Sequence, residues 1–467
     1  LFYNMKNISI FGTSSDSGKS TLTFVIAKIL QEKGYSVVPF KAQNVSNNSK
    51  VCEDGSEIGI AQYFQAEVVD VKPTFHMNPV LLKIEGNGRS QIIVDGKVLK
   101  TTTPREYYKE IDALKPIVKK NFEYLQGLYD IVIAEGAGSP VELNLMNKDL
   151  ANTYVAHEFD TKIILVADIE KGGVFASIYG TYNLLDEKLK KNVIGVVINK
   201  FRGDLSLFEE GISIIEKRFN IPVLGVVPFI PFNLGFEDSQ SLINYSQIKQ
   251  NTQLNIAVVK FPKMSNYNDI EPLIANPSVN VDFINNNANL DSYDLVILPG
   301  TKSTINDLKW LKQMGLFEQL LKREKAIYGI CGGYQMMFEK IVDDKKVEND
   351  EVVTERGLGF INDEVVFVKE KVLKNSTYKL FGLTLEGFEI HNGVSKKYAF
   401  FYEDNNIKGS FIHGIFDNDN FTNKYFKSLN ESYENFNFKQ YKKDKINSFV
   451  AKIKQSLDVK RIINSVS

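Results

Sequence analysis

Short apolar runs alternate with amphipathic helical patterns along most of this chain. Residues 7–11 read as a strand. Leu22, Val25, Ile26, Ile29 and Leu30 then recur at the spacing of one helical face, and Gly34 sits where a C-terminal cap belongs. Further strands are expected at 35–40, 131–135, 163–168, 193–199 and 223–228. Residues 236–251 turn polar and interrupt the pattern, which marks a linker. Strands resume at 254–261, 293–299, 326–330 and 409–413, and an apolar stripe over 445–457 predicts a helix that caps the second unit. Strands separated by helices imply mostly parallel, helix-covered sheets. The expected fold class is therefore α/β with two domains, 1–235 and 252–467, joined by 236–251.

Length agrees, because 467 residues exceed what one ordinary core accommodates. Hydrophobic content of 43% and charged content of 24% are those of a soluble globular protein. A net charge of −1 supplies no basic excess for nucleic acid. Two cysteines, Cys52 and Cys331, exclude a disulfide framework and fit a reducing compartment. No apolar run approaches the roughly 20 residues of a spanning helix, and residues 1–6 lack a secretory signal's apolar core. A cytoplasmic protein with neither membrane nor nucleic acid as partner is expected. The sequence assigns no oligomeric state.

Chemistry enters at two places. In the first half, the strand at 7–11 runs into Gly12-Thr13-Ser14-Ser15-Asp16-Ser17-Gly18-Lys19-Ser20-Thr21 and then a helix, the context that makes a phosphate loop credible. Backbone amides at the helix N-terminus would cradle phosphates, Lys19 would neutralise the outer ones, and the Ser20 hydroxyl would ligate Mg²⁺. Five residues separate Gly12 from Gly18 where the common motif has four, so Thr13 holds the usual first-glycine place. Glu135 ends a buried strand across from this loop and suits a Mg²⁺ role. Asp54 or Glu57 is a candidate to complete the metal shell, with a solvated helix start as the other reading of each. Asp168, at the end of the strand 163–168, is read either as functional or as a helix cap.

In the second half, the strand at 326–330 ends at Cys331, flanked by Gly329, Gly332 and Gly333. Glycines permit a sharp strand-to-helix turn, and a cysteine at its apex suggests a thiolate nucleophile. Such a nucleophile needs a base. Of four histidines only His391 and His413 lie in this half, and His413 follows a strand and precedes a loop, the better place for the base.

The first loop resembles the dethiobiotin synthetase type. The wider set of residues is similar to the adenosylcobyric acid synthase family, glutamine-dependent enzymes of cobalamin biosynthesis. The resemblance rests on Gly12-Thr…Gly18-Lys-Ser, Pro39-Phe-Lys41-Ala-Gln43-Asn44, Gly55…Glu57-Ile-Gly59…Ala61-Gln62 and Met77-Asn78-Pro-Val-Leu-Leu-Lys83. It implies ATP and Mg²⁺ as cofactors and a corrinoid, glutamine and ATP as small-molecule partners. It places adenine recognition on Asn199. In the class I glutamine amidotransferase half, Gly300 and Gly332 would form the oxyanion site and Gln335 would hold glutamine. Lys41, Gln43, Asn44, Asn78, Lys83, Arg89 and Arg202 are candidates for meeting a polyanionic substrate. The expected reaction is amidation of the b, d, e and g carboxylates of adenosylcobyrinic acid a,c-diamide through acyl phosphates. The rival readings are cobyrinic acid a,c-diamide synthase and, in another class, a nucleotide-switch ATPase. The switch would need a signature lysine where Ser14 stands. Many amidotransferases carry His-x-Glu, but position 415 is Ile, which leaves Glu389 or a backbone carbonyl to orient His413. His391 is read as substrate-facing or structural.

Overall fold

The computed structural model describes residues 6–84, 88–232, 234–235, 249, 251–380 and 382–467. Most of the linker expected at 236–251 lies outside the described residues. The first half forms a six-stranded parallel sheet in the spatial order Val223–Pro228, Val193–Phe201, Lys162–Asp168, Ile8–Gly12, Ile131–Glu135, Val37–Phe40. Ile8–Gly12 is central and buried throughout, which is why it reads as a continuous run without alternation. Strand order reverses around it, the position where open α/β sheets form a crevice at their carboxyl ends. The register sets Ile10 beside Glu135 and Gly12 beside Val166. The phosphate loop and the Glu135 carboxylate therefore emerge side by side.

A second sheet takes the order Val279–Ile284, Leu254–Val259, Leu295–Leu298, Ala326–Ile330, Ile407–Ser410, Phe401–Asp404, parallel except for the last pair. The strand expected at 409–413 is divided. Ile407–Ser410 pairs with Ala326–Ile330, whereas Ile412–His413 joins a separate five-stranded sheet beside Leu383–Val394. That step carries His413 off the sheet edge and toward the end of the Cys331 strand.

Smaller pieces were not expected from the pattern. Gln43–Val45, Val80–Ile84, Ser90–Val94 and Lys97–Thr102 form a four-stranded sheet. The hairpin Ser49–Val51/Glu57–Gly59 reaches the second half, where Val51 packs with Phe388 and Ile390 and its carbonyl accepts from Asn375 Nδ2 at 2.7 Å. The C-terminal stripe also departs from expectation. Helices Phe438–Lys454 and Val459–Val466 bury their apolar sides in the core of the first sheet, with Leu22, Phe24 and Leu224. The outer side of helix Lys19–Glu32 presents Phe24, and Phe449 covers it with ring centroids 5.9 Å apart.

Candidate functional site

At the first sheet's carboxyl end, Gly18 takes a left-handed conformation (φ 97°) and opens the helix Lys19–Glu32. A Cβ at Gly18 would fall 2.0 Å from Asn199 Nδ2, so glycine is required there. Lys19 Nζ curls back over the loop and donates to the carbonyls of Ser14 (3.0 Å) and Gly138 (2.9 Å). Thr13 N–H donates to the Val166 carbonyl, anchoring the loop to the next strand. Asp16 is exposed with φ 57°, and its carbonyl accepts from Lys200 Nζ, which also pairs with Asp168 at 2.9 Å. Loop amides and a 14-residue helix dipole converge on one point, an arrangement that attracts phosphate. The cleft above it, about 760 Å³, is lined by Lys19, Ser20, Thr21, Lys41 and Glu135 among others.

Glu135 is fully buried within this cleft's floor and collects three donors. Ser20 Oγ donates to Oε1 at 2.7 Å, Lys41 Nζ to Oε1 at 2.8 Å and Gln65 Nε2 to Oε2 at 2.6 Å. Burial favours the neutral acid, but the Lys41 ammonium and these hydrogen bonds outweigh it and hold the carboxyl below the usual range. A hydroxyl and a carboxylate 2.7 Å apart beside the phosphate loop are hard oxygen donors that fit Mg²⁺.

In the second half, Cys331 sits at the apex between strand Ala326–Ile330 and the short helix Gly332–Gln335 with φ 49° and ψ −104°, a strained conformation for a non-glycine residue. The flanking glycines serve close approach. A Cβ at Gly333 would lie 1.9 Å from the Leu298 carbonyl oxygen, and one at Gly332 would lie 2.6 Å from Thr301 Cγ2. That packing brings the Gly300–Thr301 loop against the elbow, and a Cβ at Gly300 would lie 3.1 Å from His413 Cε1. Cys331, Gln335 and His413 share a cleft of about 430 Å³, and buried Gln335 Oε1 has no hydrogen-bond partner among the described residues. His413 borders the same cleft as Cys331, whose Sγ donates to the Ile390 carbonyl at 3.7 Å, and the His413 Nδ1 meets Asp269 Oδ2 at 2.6 Å. The other Asp269 oxygen accepts from Gly414 N–H at 2.8 Å, which fixes the carboxylate. Burial pulls the imidazole pKa down, but Asp269 and then Cys331 overcome it and hold it up at about 10. The geometry sets an imidazole beside a cysteine and steadies it with a carboxylate.

Asp269 is the residue that sequence reasoning missed. It lies in the polar run Ser265-Asn-Tyr-Asn-Asp269, shortly after strand Leu254–Val259, and that position at a carboxyl strand end was the available signal. The two candidates for orienting His413 fall away. Glu389 pairs with His391 Nε2 at 3.2 Å and accepts from Tyr378 OH at 2.8 Å. His391 Nδ1 meets the Gly393 carbonyl at 2.7 Å, so both nitrogens are engaged, although its ring still borders the Cys331 cleft.

Other expected residues are redistributed. Asp54 is not near the phosphate loop, because its Oδ1 accepts from Ser56 N–H and Oγ within its own turn. Glu57 is committed to Lys83 (2.5 Å) and to Lys371 of the second half (2.7 Å). Burial and the neighbouring ammonium of Lys371 draw Lys83 down to about 7 in spite of that carboxylate. Lys83 and Arg89 line the Cys331 cleft, away from the phosphate loop. Asn78 brackets backbone, donating to the Lys41 and Val80 carbonyls and accepting from Gly59 N–H, which removes it from substrate contact. Arg202 pairs with Glu170 at 2.8 Å and stacks 3.6 Å from Phe229. Gln43 Oε1 accepts from Tyr107 OH, while Asn44 borders the phosphate-loop cleft with its amide on Gln62. Asn199 donates its amide to the Ser17 carbonyl at 2.9 Å, which ties this strand end to the phosphate loop.

Comparison with known proteins divides the chain in the same two parts. Residues 8–237 match the CobQ/CobB/MinD/ParA nucleotide binding domain, and 255–421 match the CobB/CobQ-like glutamine amidotransferase domain. The chain is 56% identical to the cobyric acid synthase of Acinetobacter baylyi over 462 residues, 99% of each chain. It is 37% identical to that of Caldanaerobacter subterraneus subsp. tengcongensis, covering 97% of each, and 40% identical to that of Clostridium acetobutylicum, covering 89% of each.

Proposed function

The chain belongs to the cobyric acid synthase family, and from that premise we propose that it makes adenosylcobyric acid with glutamine and ATP. It is a glutamine-dependent ligase. The acceptors are the b, d, e and g side-chain carboxylates of adenosylcobyrinic acid a,c-diamide. The cytoplasm is its site of action, and its partners are small molecules.

In the second half, the Cys331 sulfur attacks the side-chain amide carbon of glutamine. His413 gives its proton to the departing nitrogen, and ammonia leaves. Water then opens the thioester as His413 takes its proton, and glutamate is released. Asp269 keeps Nδ1 engaged, so that Nε2 faces the sulfur. Gly300 and Gly332 amides stabilise the tetrahedral oxyanion, and Gln335 holds the substrate.

In the first half, Lys19 and the helix N-terminus bind phosphate, and Lys41 and Asn44 border the acceptor. Ser20 and Glu135 would hold Mg²⁺, which when bound offsets phosphate charge. A free carboxylate is a poor acylating agent. Phosphoryl transfer from ATP makes an acyl phosphate, which ammonia displaces to give the amide and inorganic phosphate. What supports this reading is the presence of a Cys–His–Asp set and a phosphate loop with a paired carboxylate on one chain.

The test separates the two reactions. Cys331→Ala should abolish glutamine-dependent product yet retain ammonia-dependent amidation, and Lys19→Ala should lose both. Mass spectrometry of corrinoid products reads the outcome. Substantial ammonia-driven product from Lys19→Ala would contradict the acyl phosphate route.

A further inference from the structure

One stretch of the first half borders both reaction centres. Asn44 and Val45 line the phosphate-loop cleft, and Asn47, three residues beyond Asn44, lines the Cys331 cleft. Lys41 anchors the start of the stretch on Glu135. At its end, the Ser49 N–H donates to Asn266 Oδ1 at 3.2 Å, and Asn48 Oδ1 accepts from Tyr267 N–H at 3.4 Å.

Asn266 is built for this place. It is buried, and it adopts the left-handed conformation (φ 54°, ψ 52°) that asparagine tolerates better than other non-glycine residues. Its Nδ2 lies 3.4 Å from Nδ1 and 3.3 Å from Nε2 of His413. Near-equal distances to both ring nitrogens place the amide across the ring face, not on one nitrogen's lone pair. Phe388 also stacks on this imidazole, with centroids 5.1 Å apart. Asp269 fixes the ring by its edge, and Asn266 meets it over its face. The neighbouring Ser265 N–H donates to the Gly300 carbonyl, so the same turn also sets the oxyanion loop.

We propose that Asn266 is a positioning residue for His413 that answers to the first domain. Residues 41–49 carry the state of the phosphate-loop cleft to the Asn266 amide, and the amide sets the pitch of the imidazole against Cys331. Glutamine is hydrolysed at full rate only when a nucleoside triphosphate and a polycarboxylate acceptor fill the other cleft. Release of ammonia thereby waits for a carboxylate ready to take it. This rests on the function proposed above.

The experiment uses the full chain and Asn266→Gly, which keeps the left-handed backbone and deletes the amide. Glutamate release is measured with glutamine alone and with ATP and corrinoid acceptor added. The wild-type rate should rise at least fivefold on addition, and in Asn266→Gly the ratio should fall to near one. Asn266→Asp, which restores the acceptor for Ser49 N–H but not the amide N–H over the ring, should remain uncoupled. A second readout needs no corrinoid: the pH dependence of Cys331 alkylation by iodoacetamide, whose midpoint should move when the amide is removed. An unchanged ratio together with an unchanged midpoint overturns the proposal, as does a wild-type ratio near one. Failure of ammonia-driven amidation in the wild type would strike the proposed function instead, and the alkylation midpoint would still decide the role of Asn266.

Discussion

At the scale of residues, the Cys331 cleft depends on a carboxylate that holds an imidazole by its edge. Asp269→Asn keeps the shape but reverses the demand on Nδ1, and should lower glutamine-dependent turnover on the order of 10³-fold while sparing ammonia-driven amidation. Glutamate release and corrinoid amidation, measured together, check this. The same pair governs stability against pH. The folded His413 pKa of about 10 stands above the ordinary 6.5, so the fold favours the protonated ring. Its contribution is complete below about pH 6.5 and is lost as pH rises toward 10. Denaturant unfolding across that window should show a decline that is flatter in Asp269→Asn. Cys331 and His413 were legible because each sits in a local signature, a glycine elbow and a strand-end histidine. Asp269 was not, since it stands 144 residues from His413 and only tertiary packing brings them together. Asp54 failed for the opposite reason: a carboxylate beside Gly55 and Ser56 satisfies its own turn first.

At the scale of elements, the buried parallel strands were legible because a strand covered on both faces must be apolar throughout. The small sheet that includes Gln43–Val45 was not, because Lys97–Thr102 is largely exposed and carries little periodicity. The C-terminal helices were legible as helices but not as to what they cover, since an amphipathic stripe does not name its partner. Their packing makes a specific forecast. Phe449 is 5% exposed and stacks 4.3 Å from Phe232, so Phe449→Ala should cost about 3–5 kcal/mol. Hydrogen exchange should locate the loss in the helix Lys19–Glu32, far away in sequence. The elbow gives a sharper case, for Gly333→Ala puts a methyl group into a carbonyl of the adjoining strand and should prevent folding, read as loss of soluble protein.

At the scale of the molecule, the two halves share one buried charge cluster. Glu57 lies between Lys83 of its own half and Lys371 of the other, and burial there is outweighed by the two ammoniums, which keep it ionised. Glu57→Gln leaves Lys371 buried without its carboxylate and takes the partner from Lys83, and should cost about 3–5 kcal/mol, whereas Lys371→Met leaves one matched pair and should cost markedly less. Chemical denaturation of both variants decides the order. The return of the helix Phe438–Lys454 to the first sheet has a consequence in time as well as in space. A ribosome delivers the first sheet's strands long before residues 438–466, so Phe24, Leu224 and their neighbours stay uncovered until the second half has been translated. The first domain is begun early and can be closed only at the end of synthesis, and a chain halted before that point carries an open apolar flank for chaperones to hold.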